Sequence, residues 1–158
     1  MKNKGECTMV VGIIGESCTG KSTLAQKLRD VLNGEVYTGK DYLRLAKNES
    51  MAKNIFQNKI RVATIEAPVI YVISEKEHLE LLPEKAYRIL VTAELDVIQE
   101  RFAERMHGNL PVPVADMLQR KHGCFDSEKC DIHIKSGQDD LDEVCLLVRN
   151  AIRQEQHL

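Results

Sequence analysis

No apolar run in the chain approaches the roughly 20 residues that a bilayer-spanning helix needs, which argues against a membrane-embedded protein. Charge of one sign is lacking too. Lys and Arg number 22 against 24 Asp and Glu, a net charge of -2, so no global field draws the chain to nucleic acid or an anionic membrane. Any anionic ligand must therefore be held by local groups. The five cysteines, Cys7, Cys18, Cys124, Cys130 and Cys145, are odd in number and scattered; they form no disulfide framework and fit reduced thiols in a cytoplasm. The first apolar stretch runs straight into a glycine loop rather than to a small-residue cleavage site, so it does not read as a secretory peptide. Internal repeats and low-complexity segments are also lacking.

What is present is ordinary for a soluble globular protein: 158 residues, 43% hydrophobic and 29% charged, long enough for one domain over 1–158 with a real core. Apolar runs alternate with helical patterns throughout. Thr8 to Ile14 reads as a strand buried on both faces, followed by a helix Ser22 to Leu32 that stops at Asn33-Gly34. Glu35 to Tyr37 predicts a second strand, Asp41 to Ala46 and Glu49 to Lys59 helices, and Val69 to Ile73 a third strand. Ser74 is placed to cap a helix Glu75 to Leu82 ended by Pro83. Strand Tyr87 to Thr92, helix Glu94 to Met106, strand Asp131 to Ile134 and helix Leu141 to Arg153 complete the pattern; His107 to Phe125, with two glycines and two prolines, reads as an excursion from the core. Strands separated by helices imply a parallel α/β sheet of about five strands with helices on both faces, three layers in all.

The strongest chemical signal is Gly15-Glu16-Ser17-Cys18-Thr19-Gly20-Lys21-Ser22, which fits G-x-x-x-x-G-K-[ST] without mismatch. Glycines let the backbone turn so that successive N–H groups face phosphate oxygens, and the helix start adds its partial positive charge. Lys21 is expected on the β- and γ-phosphates, the Ser22 hydroxyl on Mg²⁺, and Thr23 beside them in a donor site for ATP. Cys18 has two readings: a thiolate favoured by Lys21 and the helix terminus, or a packed small side chain.

This layout, with the phosphate loop near the N-terminus and arginines before the last strand, resembles the nucleoside monophosphate kinases, with shikimate kinase as a relative in fold. The resemblance implies a P-loop kinase fold over nearly the whole chain. It also implies an acceptor-binding segment at about 38–60, where Thr38, Gly39, Asp41 and Arg44 follow the second strand as a Thr-Gly pair and an arginine do in that family. An exposed helix start capped by Thr38 or Asp41 is the plainer alternative. A lid at about 107–125 is implied, with Arg101, Arg105 and Arg120 as the cations on the transferring phosphoryl group, although Glu100 and Glu104 are also able to pair with the first two. Lys135-Ser136-Gly137 is expected to pack on the purine of the donor.

The third strand is followed by Ile73-Ser74-Glu75-Lys76 rather than the Asp-Gly-x-Pro-Arg of adenylate kinases, which leaves Asp41 and Glu75 as candidates for the carboxylate near Mg²⁺. His122, Cys124, Cys130 and His133 lack the spacing of a zinc knuckle and read as an ordinary loop. A guanine-reading Asn-Lys-x-Asp element is missing, against a GTPase switch. The sequence therefore points to ATP-dependent phosphoryl transfer to a small acceptor, a nucleoside monophosphate first. The alternatives are a non-nucleotide metabolite, as in shikimate or gluconate kinases, or a nucleotide-binding regulatory module without turnover.

Overall fold

A computed structural model describes residues 9–156; the expected first strand residue Thr8, and Cys7, lie outside them. Five parallel strands form one sheet: β1 (Val10–Ile14), β2 (Glu35–Thr38), β3 (Val69–Ile73), β4 (Tyr87–Thr92) and β5 (Ile132–Lys135), in the order β2-β3-β1-β4-β5. Residues alternate between faces along β1. Val11 and Ile13 join a core on one face built with Leu24 and Leu28 of helix α1 (Lys21–Leu32) and Val144 and Val148 of α5 (Leu141–Gln156). Val10 and Ile14 join the core of the other face, with Ala52 and Phe56 of α2 (Glu49–Val62). Phe56 stands among three tyrosines there, its ring 4.9 Å from Tyr37, 5.1 Å from Tyr42 and 5.0 Å from Tyr71. The three-layer α/β architecture is therefore as expected.

A third, smaller cluster joins α3 (Leu95–Arg105) to α4 (Val112–Lys121) through Ile98 and Leu118, with Cys18 and Ala93 between them. Helix α4 supplies regular structure within the excursion expected at 107–125. Pro111 is its N-cap and Pro113 stands in its first turn, positions where proline starts a helix rather than breaking one. Two other expected helices are tighter and shorter. Asp41–Leu45 and Lys76–Leu81 are 3₁₀ turns. Ser74 does not cap the second, whose preceding residue is Glu75 in extended conformation with no side-chain cap. Leu81 and Leu82 must reach back under the sheet, and six residues of 3₁₀ helix achieve that return. Among the described residues, no helix is long and apolar enough to cross a membrane.

The central strand β1 lies between β3 and β4, and the chain passes from it to one side of the sheet and then to the other. The carboxyl end of such a strand is the switch point where α/β sheets bind ligands. Gly15 begins there.

Candidate active site

Gly15 donates its N–H to Ile73 O at 3.1 Å, closing the loop onto the neighbouring strand. A Cβ on Gly15 would lie 2.3 Å from Val91 O, so only glycine fits. Cys18 at φ 65 and Gly20 at φ 95 turn the chain left-handed on either side of Thr19, and Gly20 is the N-cap of α1. The loop thereby delivers the N-terminus of a 12-residue helix to the switch point.

Lys21 curls back over this loop. Its Nζ donates to Glu16 O and lies 3.4 Å from Thr19 Oγ1, and the residue is 5% exposed. Burial is the largest influence on it and pushes its pKa down to about 8; Arg105 lowers it further, whereas Cys18 and Glu16 pull the other way. Thr19 is buried and donates its hydroxyl to Glu16 O at 2.9 Å, so it supports the loop from inside. Ser17 is half-buried, and Ser22 and Thr23 are exposed.

Arg101 reaches the loop from α3, donating to Cys18 O at 3.0 Å and to Ser136 Oγ at 2.9 Å. It joins the phosphate loop to the turn after β5. Arg101 and Arg105 line a cleft of about 460 Å³ together with Thr23, Ser136 and Gly137. Arg120 is not brought there. It lies on the exposed face of α4, Nε 3.4 Å from Asp116 O, along a separate groove with Val112 and Pro113.

Cys18 resolves to the second of its two readings. It is 5% exposed and packs with Ile98 of α3 and Leu118 of α4. Iodoacetamide should therefore modify Cys18 at least about tenfold more slowly than the half-buried Cys124 and Cys130 in the folded protein, because alkylation requires access to the sulfur. Peptide mass spectrometry over a labelling time course measures this, and comparable rates would contradict the packing.

In the turn after β2, Gly39 at φ 55 donates its N–H to Val72 O at 3.0 Å. Asp41 accepts from Thr38 N at 3.1 Å and sits 4.0 Å from Arg44, whose guanidinium lies 4.7 Å from the centre of the Tyr37 ring. The four residues Thr38, Gly39, Asp41 and Arg44 thus form one turn that holds a half-exposed cation.

Two features escaped sequence reasoning. Glu16, at a free position of the loop motif, sends its carboxylate to the end of α4, accepting from Gly123 N at 3.0 Å and meeting His122 Nδ1 at 3.1 Å. Glu75 pairs with Lys121 at 3.3 Å. These contacts span 46 to 107 residues, and no local pattern announces them.

The residues present fit Mg²⁺ held with a nucleotide. The donor set is one hydroxyl, Ser22, and among the described residues no group of three His, Cys, Asp or Glu could hold a metal unaided; Mg²⁺ characteristically takes one or two protein ligands plus phosphates and water. His122 faces Glu16, whereas His133 on β5 has its Nε2 2.8 Å from Thr92 Oγ1 on β4.

The fold so defined is that of the P-loop kinases. A shikimate kinase from Acinetobacter baumannii, solved with shikimate, superposes with a TM-score of 0.64 at 12% identity, covering 95% of this chain and 96% of its own. A tunicamycin resistance protein from Deinococcus radiodurans gives 0.65 at 17% identity, with 92% and 95% covered. A gluconokinase from Sinorhizobium meliloti gives 0.59 at 12% identity, with 96% and 95% covered. No protein-family model matches the sequence, and no curated protein matches it.

Proposed function

We propose that this protein transfers the γ-phosphoryl group of ATP, with Mg²⁺, to a small anionic acceptor, a nucleoside monophosphate in the first instance. The observation that carries the reading is the convergence of three cations from two helices, Lys21 of α1 and Arg101 and Arg105 of α3, around one glycine loop at the switch point. Phosphoryl transfer asks little covalent chemistry of a protein and much positioned positive charge. Loop N–H groups and Lys21 would hold the β- and γ-phosphates, Ser22 would ligate Mg²⁺, and the metal would neutralise charge between those phosphates. Arg105, near Lys21, is suited to the transferring group. Arg101, fixed between Cys18 and Ser136, is suited to positioning donor and lid. Arg120 would need movement of α4 to contribute. A cytoplasmic location is part of this proposal.

Arg44 supports an anionic acceptor, being held over Tyr37 and beside Asp41 on the turn after β2. Asp41 is engaged by the Thr38 N–H, which suits a structural carboxylate better than a free general base. The second reading, a hydroxyl-bearing metabolite as acceptor, draws on the shikimate kinase and gluconokinase similarities. Coupled measurement of ADP release, with ATP, Mg²⁺ and a panel of ribo- and deoxyribonucleoside monophosphates beside shikimate and gluconate, separates the two. For a monophosphate acceptor, Arg44→Ala should raise acceptor KM at least about tenfold, the worth of one charged hydrogen bond, and Asp41→Asn should be milder. Loss of transfer in Asp41→Asn with donor binding intact would favour the metabolite, and silence across the panel would sink both acceptors.

The depressed pKa of Lys21 gives a pH signature. Below about 8 the lysine is charged before ATP arrives; above it, binding must take up a proton. ATP affinity should then fall as pH rises from 8 to 9.5, by up to about tenfold per unit. Calorimetry at pH 9 in buffers of different ionisation enthalpy should show uptake approaching one proton, against almost none at pH 7. Equal uptake at both would remove Lys21 from the phosphate site.

A further inference from the structure

Two carboxylates leave adjacent strands at the same height. Ile14 of β1 is paired with Ile73 of β3, so Glu16 and Glu75, each two residues beyond, emerge side by side at the carboxyl edge of the sheet. Both take their partners from three consecutive residues at the end of α4. Glu75 meets Lys121 at 3.3 Å, and Glu16 meets His122 and the Gly123 N–H at 3.1 and 3.0 Å. The Glu16 carboxylate is only 11% exposed, whereas Glu75 and Lys121 are about half exposed. The first attachment is thus the stronger, since solvent screens exposed pairs.

A carboxylate in a phosphate loop opposes the charge that the loop exists to hold. Its engagement with the lid gives it a purpose. We propose that Glu16 is a positioning residue that pins the root of the lid, Lys121 to Gly123, to the phosphate loop, with Glu75 as a weaker second pin, so that occupancy of the loop is communicated to the lid. The proposal rests on the phosphate-loop reading. Glu16 is the physical link because its backbone and side chain face different partners. Its carbonyl accepts from Lys21 Nζ and Thr19 Oγ1, and its carboxylate holds His122 and Gly123. A phosphate drawing Nζ onto itself releases one bond on that carbonyl. The peptide carrying Glu16 then readjusts, and the carboxylate transmits the change 107 residues along the chain.

The test follows the Gly123 amide by hydrogen exchange in the full chain, read by NMR, with MgATP binding measured by calorimetry on the same samples. Glu16→Ala should speed Gly123 exchange at least tenfold and leave the amides of β1 protected. Glu16→Gln, which still accepts from the amide, should retain most of the protection. MgATP should slow Gly123 exchange in the wild type and fail to do so in Glu16→Ala, whose ATP affinity should fall less than that of Lys21→Ala. If Glu16→Ala loosens β1 as well, His122→Ala, which changes an exposed residue and keeps the Glu16 bond to the Gly123 N–H, takes its place and should weaken the MgATP effect without abolishing it. Unchanged Gly123 exchange in Glu16→Ala, or the same MgATP response with and without the Glu16–His122 contact, would overturn the proposal. A wild type that binds no MgATP would refute the phosphate-loop reading, while the nucleotide-free exchange would still decide whether Glu16 pins the lid.

Discussion

Lys21→Ala should lower ATP turnover at least about 100-fold, the usual scale for removing one preorganised charge from a phosphoryl-transfer site. Thermal stability should scarcely follow. A lysine whose pKa is depressed is one whose charged form the fold penalises. That penalty is present below about pH 8 and fades as pH rises past it. Alanine removes the penalty along with the bonds to Glu16 and Thr19, so the two losses oppose each other at pH 7. Melting temperature within about 3 °C of wild type, with turnover lost, is the expected pair of results from scanning calorimetry and an ADP-release assay. Unchanged turnover would refute the assignment of Lys21, and so would a large drop in melting temperature that accounts for the lost activity.

Gly15→Ala should have the other large effect, through the opposite balance. Its Cβ would lie 2.3 Å from Val91 O and 3.1 Å from Thr19 Oγ1. The first neighbour is backbone of β4 and cannot swing aside. Either the loop lifts from the sheet and loses the Gly15 N–H bond to Ile73, or β4 shifts away from β1. Overpacking of this kind costs about 1–3 kcal/mol and more where backbone must move, so a fall of 3 kcal/mol or more in urea unfolding is expected, with ATP binding abolished. Gly12→Ala is the informative comparison. Its Cβ would meet Leu82 Cδ1 at 2.5 Å, the far end of a flexible side chain, and a smaller loss with ATP binding retained is expected. Equal losses for both would show that the approach to Val91 is not what restricts Gly15.

The contrast between these two glycines marks what was legible in the sequence. The phosphate loop could be read because its function fixes residue types at fixed spacing, and strands such as Val69–Ile73 could be read because burial on both faces demands a continuous apolar run. Helix α4 was hidden because Pro111 and Pro113 carry the same letters whether they start a helix or interrupt one. The 3₁₀ turn at Lys76–Leu81 has helical periodicity, and its tightness is imposed by the return of Leu82 to the sheet. Arg101 and Arg120 were both read as lid arginines. Only the packing of α3 against α4 turns the first toward Cys18 and leaves the second on the outer face. Glu16 stands at a free position of the motif, which says nothing of its side chain, and its carboxylate is claimed by residues more than a hundred positions away.

The position of β1 in the middle of the sheet also has a consequence for how the protein is made. β1 and its loop leave a ribosome before their partners do: the partner of Ile14 on β3 follows about sixty residues later, and the partner on β4 later still. Parallel pairing at such separation is slow, because chain entropy must be lost before any contact compensates it. Arg101 and Ser136, which brace the loop through Cys18 and each other, arrive last. The bracing of the loop is therefore completed only once Ser136 has been made, and a chain that ends before it lacks that contact. Under the proposed reading, ATP would then stabilise the braced fold selectively, by an amount that grows with the logarithm of its concentration over Kd.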